Sequence, residues 1–563
     1  MLEVRWRLAA PVVALSCCAV AAGCGGSSSD KGSGGGGSGS GATAAADTTK
    51  LVTDTPAATG DVDKVTWALP YGEPLSLDPQ KAGDYSPNTV VNNLCDNLLR
   101  LQPDFSIKAG LASYAQPDPK TIVFTIQSGA RFWDGRPVTP ADVVYSLERN
   151  TDPKVQSPAA AAFRFVASIK ATGAHRVTVK FKQPDSAFLA QMSSATSAVS
   201  ERAFTEKAGK AYGTAQGGLM CSGPFKLDKW TSGEQIATSA NPDYWDAALK
   251  PRAKTFIYKF IPDSSTLTSA LQSGEIDGTY EAPVGSLKAL RSSNAGRLYV
   301  GPSTQSLSIG ATTSTGPASD PNVRTALDLA IDKNALVKNV LRGSGTPLKT
   351  FTPPFTYNGS PARDVYQQGY DALADNSTAN MDEARKLIAD AHVGSRTLTL
   401  ATISGVQLAT QTATIVQATG KAIGLNIKIK QMQPTEFSAL FYDPSKRAGV
   451  DFIIAMGYID TPNVLNYAPL FTMKPPAGLF NWVGYSNPEV TKELVAAQAD
   501  TDPQSSAQHF VNAQKLYAPA RLQISLANIY ENLFMNKKIT GATASFSYIN
   551  SPWAASVGAA GSN

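Results

Sequence analysis

Charge, histidine and cysteine are all scarce in this chain of 563 residues. Asp, Glu, Lys and Arg make up 17% of it, with 50 basic against 45 acidic side chains and a formal net charge of +5. An average globular domain is about 25% charged. So small an imbalance, interspersed along so long a chain, leaves no electrostatic footprint for nucleic acid and excludes DNA and RNA as partners. The three histidines, His175, His392 and His509, lie far apart, and none opens a His-Glu-x-x-His pattern. A zinc hydrolase would lack its ligand set. The Gly-Lys pairs at Gly209 and Gly420 are each followed by alanine, not by the Ser or Thr that holds magnesium in a P-loop. Acidic neighbours such as Asp382 and Glu383 stand at a helix start, where the macrodipole accounts for them. No catalytic residue, metal or cofactor is expected.

Apolar bulk is present in quantity. Hydrophobic residues at 42% can fill large cores, and the length is several times a usual domain of about 100 to 150 residues, so more than one compact lobe is expected.

The N-terminus sets the compartment. Arg5 and Arg7 precede an apolar run from Leu8 to Val20, shorter than the ~20 residues of a membrane span but suited to a secretory signal. Residues 1–23 are therefore read as a signal peptide. The run ends in Ala21-Ala22-Gly23-Cys24, which resembles a bacterial lipobox, with Cys24 as the lipidated residue; the alternative is an ordinary cleaved signal with a chance cysteine. Residues 24–60 are mostly Gly, Ser, Ala and Thr, too polar to offset their ordering entropy, and are expected to form a tether with a reach of roughly 30 to 35 Å. The expected location is the extracytoplasmic face of the cell membrane. The glycines from Gly32 to Gly37 match a dinucleotide fingerprint only in letters, since no strand precedes them and no helix follows. Once the signal is removed, Cys95 and Cys221 are the one internal pair besides Cys24, either bridged in an oxidising compartment or present as two separate buried thiols.

Both periodicities follow from Val62 onward. Alternation at Ile122/Phe124/Ile126, Val177/Val179/Phe181, Phe256/Tyr258/Phe260 and Leu425/Ile427/Ile429 predicts half-buried strands. Asp320-Pro321 opens a helix through Val323, Ala326, Leu327 and Ala330; Thr139-Pro140 opens another; Asn380 to Glu383 is a third start. Residues 397–430 read as strand, helix, strand, a βαβ unit, and the class is mixed α/β.

Several segments together resemble the family 5 extracellular solute-binding proteins, the oligopeptide, dipeptide and nickel-binding components of ABC importers. They are Thr121-Ile-Val-Phe-Thr-Ile through Trp133-Asp134-Gly135-Arg136-Pro137 to Arg149, Leu77-Asp78-Pro79, Gly223-Pro224-Phe225-Lys226-Leu227, Asn241-Pro242-Asp243-Tyr244-Trp245, Ser273-Gly274-Glu275-Ile276-Asp277, and Val323 to Asp332. The resemblance spans about Val62 to Ser551. It implies a two-lobed, type II binding-protein fold with a discontinuous first domain (61–95, 212–301 and 536–563), an inserted second domain (96–211) and a large third domain (302–535). It further implies a monomer that captures a small solute, a peptide first and a sugar oligomer, nickel chelate or other metabolite as alternatives, and hands it to membrane permease subunits. With both cysteines in the first domain, it favours a Cys95–Cys221 disulfide. Where the family usually reads Gly-Thr-Gly-Pro, this chain has Cys221-Ser222-Gly223-Pro224.

Peptide-binding relatives place an aspartate shortly after Gly-Trp, against the ligand amine. Here the stretch is Met456-Gly457-Tyr458-Ile459-Asp460-Thr461-Pro462, with Tyr458 for Trp and a shorter spacing, so Asp460 reads either as the amine partner or as a turn residue. Tyr85, and more weakly Tyr71, Asn481 and Trp482, are the other expected pocket residues; Trp482 reads equally as core.

Overall fold

The computed structural model describes residues 50–561. The signal peptide, Cys24 and most of the tether lie outside the described residues. The alternating segments form strands, and the two longest antiparallel partners, Gly296–Ala311 and Gln523–Asn536, lie at the middle of an eleven-stranded mixed sheet. On one side the sheet continues through Phe452–Tyr458, Thr397–Ile403 and Asn426–Met432; on the other through Gly278–Thr279, Val62–Leu69, Ala253–Phe260, Gln235–Ala240 and Phe225–Thr231, while the short strand Gly345–Pro347 also pairs with Gln523–Asn536. Val62–Leu69 pairs in parallel with Ala253–Phe260, Trp67 opposite Tyr258. The expected βαβ unit is there: Thr397–Ile403 and Asn426–Met432 run parallel, joined by the helix Gln407–Ala422.

A separate four-stranded antiparallel sheet has the order Ala112–Asp118, Thr121–Ile126, Arg176–Phe181, Val166–Gly173. One face carries Ile122, Phe124, Ile126, Val177, Val179 and Phe181 into a core shared with Val143 and Leu147 of the helix Pro140–Glu148. That helix starts where the sequence predicts. The Thr139 hydroxyl accepts from the Asp142 N–H, and the Asp142 carboxylate accepts from the Thr139 N–H at 3.0 Å, so two otherwise orphaned donors are satisfied reciprocally. Asp320 caps the helix Pro321–Ala330, whose Val323, Ala326, Leu327 and Ala330 pack on the large sheet. The Trp133 to Pro137 segment is a turn: Gly135 has φ +88°, a conformation that favours glycine, and the Trp133 indole donates to the Gly223 carbonyl.

The tether meets the fold earlier than its composition suggests, so the expected boundary at residue 60 is corrected. Val52 donates to the Val300 carbonyl, Thr55 to that of Ala542, and Gly60 pairs with Ala559. Main-chain hydrogen bonds with the C-terminal segment hold this stretch, and such bonds need no apolar side chain, which is why composition misses them.

Cys95 ends the helix Tyr85–Leu94 and is bonded to Cys221, with Cα atoms 4.9 Å apart and a sequence separation of 126. A bridge closing so long a loop restricts the unfolded chain by about 4 to 5 kcal/mol in the chain-entropy account. Reduction, or Cys221→Ser, should lower the urea midpoint markedly, and an unchanged midpoint under reductant would show that the bridge contributes nothing to stability.

Candidate functional site

Interrupted pairing between the two central strands builds the site. Gly301 lies opposite Glu531 and Gln305 opposite Ile529, so residues 302–304 bulge out against a single partner. The Asn528 side-chain amide fills the broken ladder, donating to the carbonyls of Ser303 at 2.9 Å and Gln305 at 2.7 Å. The bulge aims Gln305 across the sheet, where its Nε2 donates to Glu531 at 3.1 Å and its Oε1 accepts from the Tyr85 hydroxyl at 3.4 Å.

Three of the expected pocket residues come together here. Tyr71 stacks on Tyr85 with ring centroids 4.3 Å apart, and Tyr458 meets Tyr85 edge-on at 4.7 Å. The Asn88 amide donates to the Tyr458 hydroxyl. Tyr71 also forms part of the wall of a cavity of about 100 Å³, together with Glu281, Gln305, Met456, Tyr530 and Asn532. Asp460 lies two residues beyond Tyr458, half-buried beside Gln191, with its carbonyl accepting from the Asn550 amide. Burial pushes its carboxyl above the ordinary aspartate value.

Asn481 and Trp482 make none of these contacts. The Asn481 amide donates to the Met473 and Tyr485 carbonyls and its oxygen accepts from the Tyr485 N–H, so both amide hydrogens close their own loop. Trp482 packs against Phe441 and Phe480, with the Arg447 guanidinium 4.7 Å above its ring. These contacts correct the expectation that the pair sits with the tyrosines.

Sequence reasoning missed the carboxylates. Glu281 follows the short strand Gly278–Thr279, with φ +47°, and its N–H donates to the Glu531 carboxylate at 2.8 Å. Its own carboxyl accepts from the hydroxyl of Tyr548, whose ring stacks on Tyr280 at 3.5 Å. Asp84, the N-cap of the helix Tyr85–Leu94, acts electrostatically on both Glu281 and Tyr458, and Asp460 acts on Tyr458, so one run of acidic groups extends from Glu531 to Asp460. The signal in the sequence was Glu531 alone: a single charge within the strand Gln523–Asn536.

Several other buried carboxylates have cations, while Asp142 and Asp185 are held by neutral donors alone. Asp78 pairs with Arg149 at 2.6 Å, Asp328 with Lys333 and Arg521 at 2.7 and 3.0 Å, and Asp451 with Arg396 at 3.1 Å. Asp84, Glu281, Asp460 and Glu531 have no such partner within 4.0 Å among the described residues. Burial, reinforced by mutual repulsion, therefore raises Glu281 well above the glutamate range, and burial pushes Glu531 up to about 8. Among the described residues no group of three or more His, Cys, Asp or Glu side chains is arranged to hold a metal, and no helix is long and apolar enough to cross a membrane.

A mixed α/β body with a tyrosine-walled, acidic cavity beside its central strands is a binding scaffold. The chain belongs to the bacterial extracellular solute-binding proteins, family 5, whose middle-region model matches residues 106–478. It is similar to the glutathione-binding protein GsiB of Salmonella typhimurium, 25% identical over 447 residues that cover 78% of this chain and 84% of the relative. It is also similar to the periplasmic oligopeptide-binding protein OppA of the same organism, 28% identical over 370 residues, covering 62% and 66%. Two solved structures superpose on it: the oligopeptide-binding protein AppA from Bacillus subtilis in complex with a nonapeptide, with TM-score 0.76, 19% identity and coverage of 89% and 100%, and the Escherichia coli murein tripeptide binding protein MppA, with TM-score 0.75, 22% identity and coverage of 89% and 99%. These two establish the shared fold.

The carboxylate pair has a sign-definite consequence for stability. Unfolded glutamates titrate near 4.3, whereas burial holds the proton on folded Glu531 until about pH 8 and raises Glu281 well above its ordinary range. Between those values the folded chain binds more protons than the unfolded one, so the pair's contribution to ligand-free stability falls as pH rises from about 4.5 to about 8. Glu531→Gln should flatten that fall. Melting midpoints recorded across this range would contradict the assignment if variant and wild type kept the same slope.

Proposed function

We propose that this chain is the solute receptor of an ABC importer, held at the outer face of the membrane by lipid on Cys24, and that it captures a peptide-like solute through an ammonium group. One observation carries the reading: the acidic run from Glu531 to Asp460 lies among tyrosines with no protein cation beside it. A buried carboxylate without a counter-charge is costly, and a ligand ammonium supplies that charge. The tyrosines offer flat apolar faces with polar edges, which suit a peptide backbone. Relatives named for glutathione and oligopeptide binding agree in ligand class. In this reading Asp460 takes the amine, Tyr458, Tyr85 and Tyr71 line the approach, and no bond of the solute is broken.

Two lobes close on the solute, with chain crossings near residues 95, 212, 301 and 536. The separate core built within residues 98–199 supports that division. Closing a population from 1:99 to 99:1 takes about 5.5 kcal/mol of differential affinity, which a desolvated ammonium–carboxylate pair can supply in large part.

Calorimetry tests the amine contact. Asp460→Asn should weaken a free-amine peptide by about 2 to 5 kcal/mol, while an N-acetylated analogue should lose little further on the variant. Additive losses would show that Asp460 does not see the amine and would move the ligand toward a sugar or another metabolite. Product formation during the titration would instead favour a hydrolase. Anchoring is tested separately: Cys24→Ala should release the protein into the medium, because two acyl chains bind a membrane stably and none does. Retention of the variant on the membrane would remove Cys24 from the account.

A further inference from the structure

The core built from residues 98–199 meets the cluster built from residues 348–522 at a polar seam. On one side lies the segment Asp185 to Gln191; on the other, the last turn of the helix Pro488–Ala499. The Ser186 N–H donates to the Gln498 carbonyl at 2.9 Å and its hydroxyl to the Ala497 carbonyl at 3.2 Å. The Asn466 amide donates to the Ala187 carbonyl at 3.4 Å. The Gln498 side chain completes the set, donating to the Asp185 carboxylate at 2.8 Å and accepting from the Arg164 guanidinium. Among the described residues, every hydrogen bond between 98–199 and 302–535 falls in this seam.

The seam is made to part. Its apolar content is small: Ala187 packs into the 348–522 cluster, while the next residue, Phe188, belongs to the other core. The carbonyls it uses at Ala497 and Gln498 are those that a helix end leaves without an intrahelical partner, and water can take them when the surfaces separate. Arg164 approaches the carboxyl end of that helix, where the macrodipole favours a cation. Gln498, 3% exposed, joins a cation and an anion through one amide, so a single side chain decides whether both are paired. Its neighbour across the seam, Gln191, reaches Asp460, which ties the seam to the mouth of the cleft.

We propose that Gln498 is a positioning residue for solute capture, the centre of a latch that holds the two lobes shut without touching the ligand. The proposal rests on the two-lobed reading given above. Small-angle scattering of the purified full chain, without ligand and then with a tryptic casein digest as probe, tests both. Gln498→Ala should raise the open-to-closed ratio of the ligand-free protein at least tenfold, seen as a larger radius of gyration. Arg164→Ala, on a half-buried residue that Asp185 and Gln498 survive without, should move it the same way by less. A radius unchanged in both variants overturns the latch, as does a lowered melting midpoint in Gln498→Ala with no change in radius, which would make the residue merely structural. The opened Gln498→Ala protein should contract again on adding the digest; a variant that opens without ligand but fails to contract with the digest counts against the receptor reading and leaves the latch standing.

Discussion

The register of one strand pair governs the cleft. Gly296–Ala311 and Gln523–Asn536 run antiparallel through the middle of the large sheet, and the bulge at residues 302–304 is the sole place where Gln305 can reach both Tyr85 and Glu531. A regular ladder continuing from Gly301 opposite Glu531 would set Gln305 opposite Ala527, two residues further along the partner strand from Glu531. The bulge persists because the Asn528 amide satisfies two carbonyls that the break would orphan. Gly301, at its edge, lies so close to the Ala544 carbonyl that a Cβ would overlap it. Sheet, bulge and cleft are thus one structure, and the same strand brings Gly457 and Tyr458 into place by pairing opposite Ser306 and Gln305.

Charge is distributed on the same logic. Some buried carboxylates are neutralised within the fold, as Asp328 is by Lys333 and Arg521, and others, such as Asp185, are held by neutral donors. At the cleft the counter-charge is omitted, and the protein tolerates this by keeping a proton on the Glu281–Glu531 pair. The left-handed backbone at Glu281, uncommon for a residue with a side chain, turns its N–H onto Glu531 and its carboxyl toward Tyr548.

Local pattern made much of the fold legible. Alternating apolar residues mark Thr121–Ile126 and Ala253–Phe260, capping residues mark the helices after Thr139 and Asp320, and the stretch 397–432 folds as the βαβ unit its periodicity predicts. The site was legible only in part. Tyr85 and Tyr458 could be placed because each sits in a recognisable segment, but Glu281 and Glu531 stand 250 residues apart and meet only through strand pairing. Asn481 and Trp482 are held by contacts of another kind. Their sequence, an amide beside an indole, suits a pocket, yet the amide closes its own loop and the indole covers Phe441 and Phe480.

Ordered residues at the start of the fold bear on how the receptor can sit at a membrane. Val52, Thr55 and Gly60 are bonded to strands and to the C-terminal segment, so the expected linker of residues 24–60 joins the folded body well before its last residue. The same hydrogen bonds anchor the tether to the body beside Val300 and Ala542, close to the central strand Gly296–Ala311 that builds the cleft.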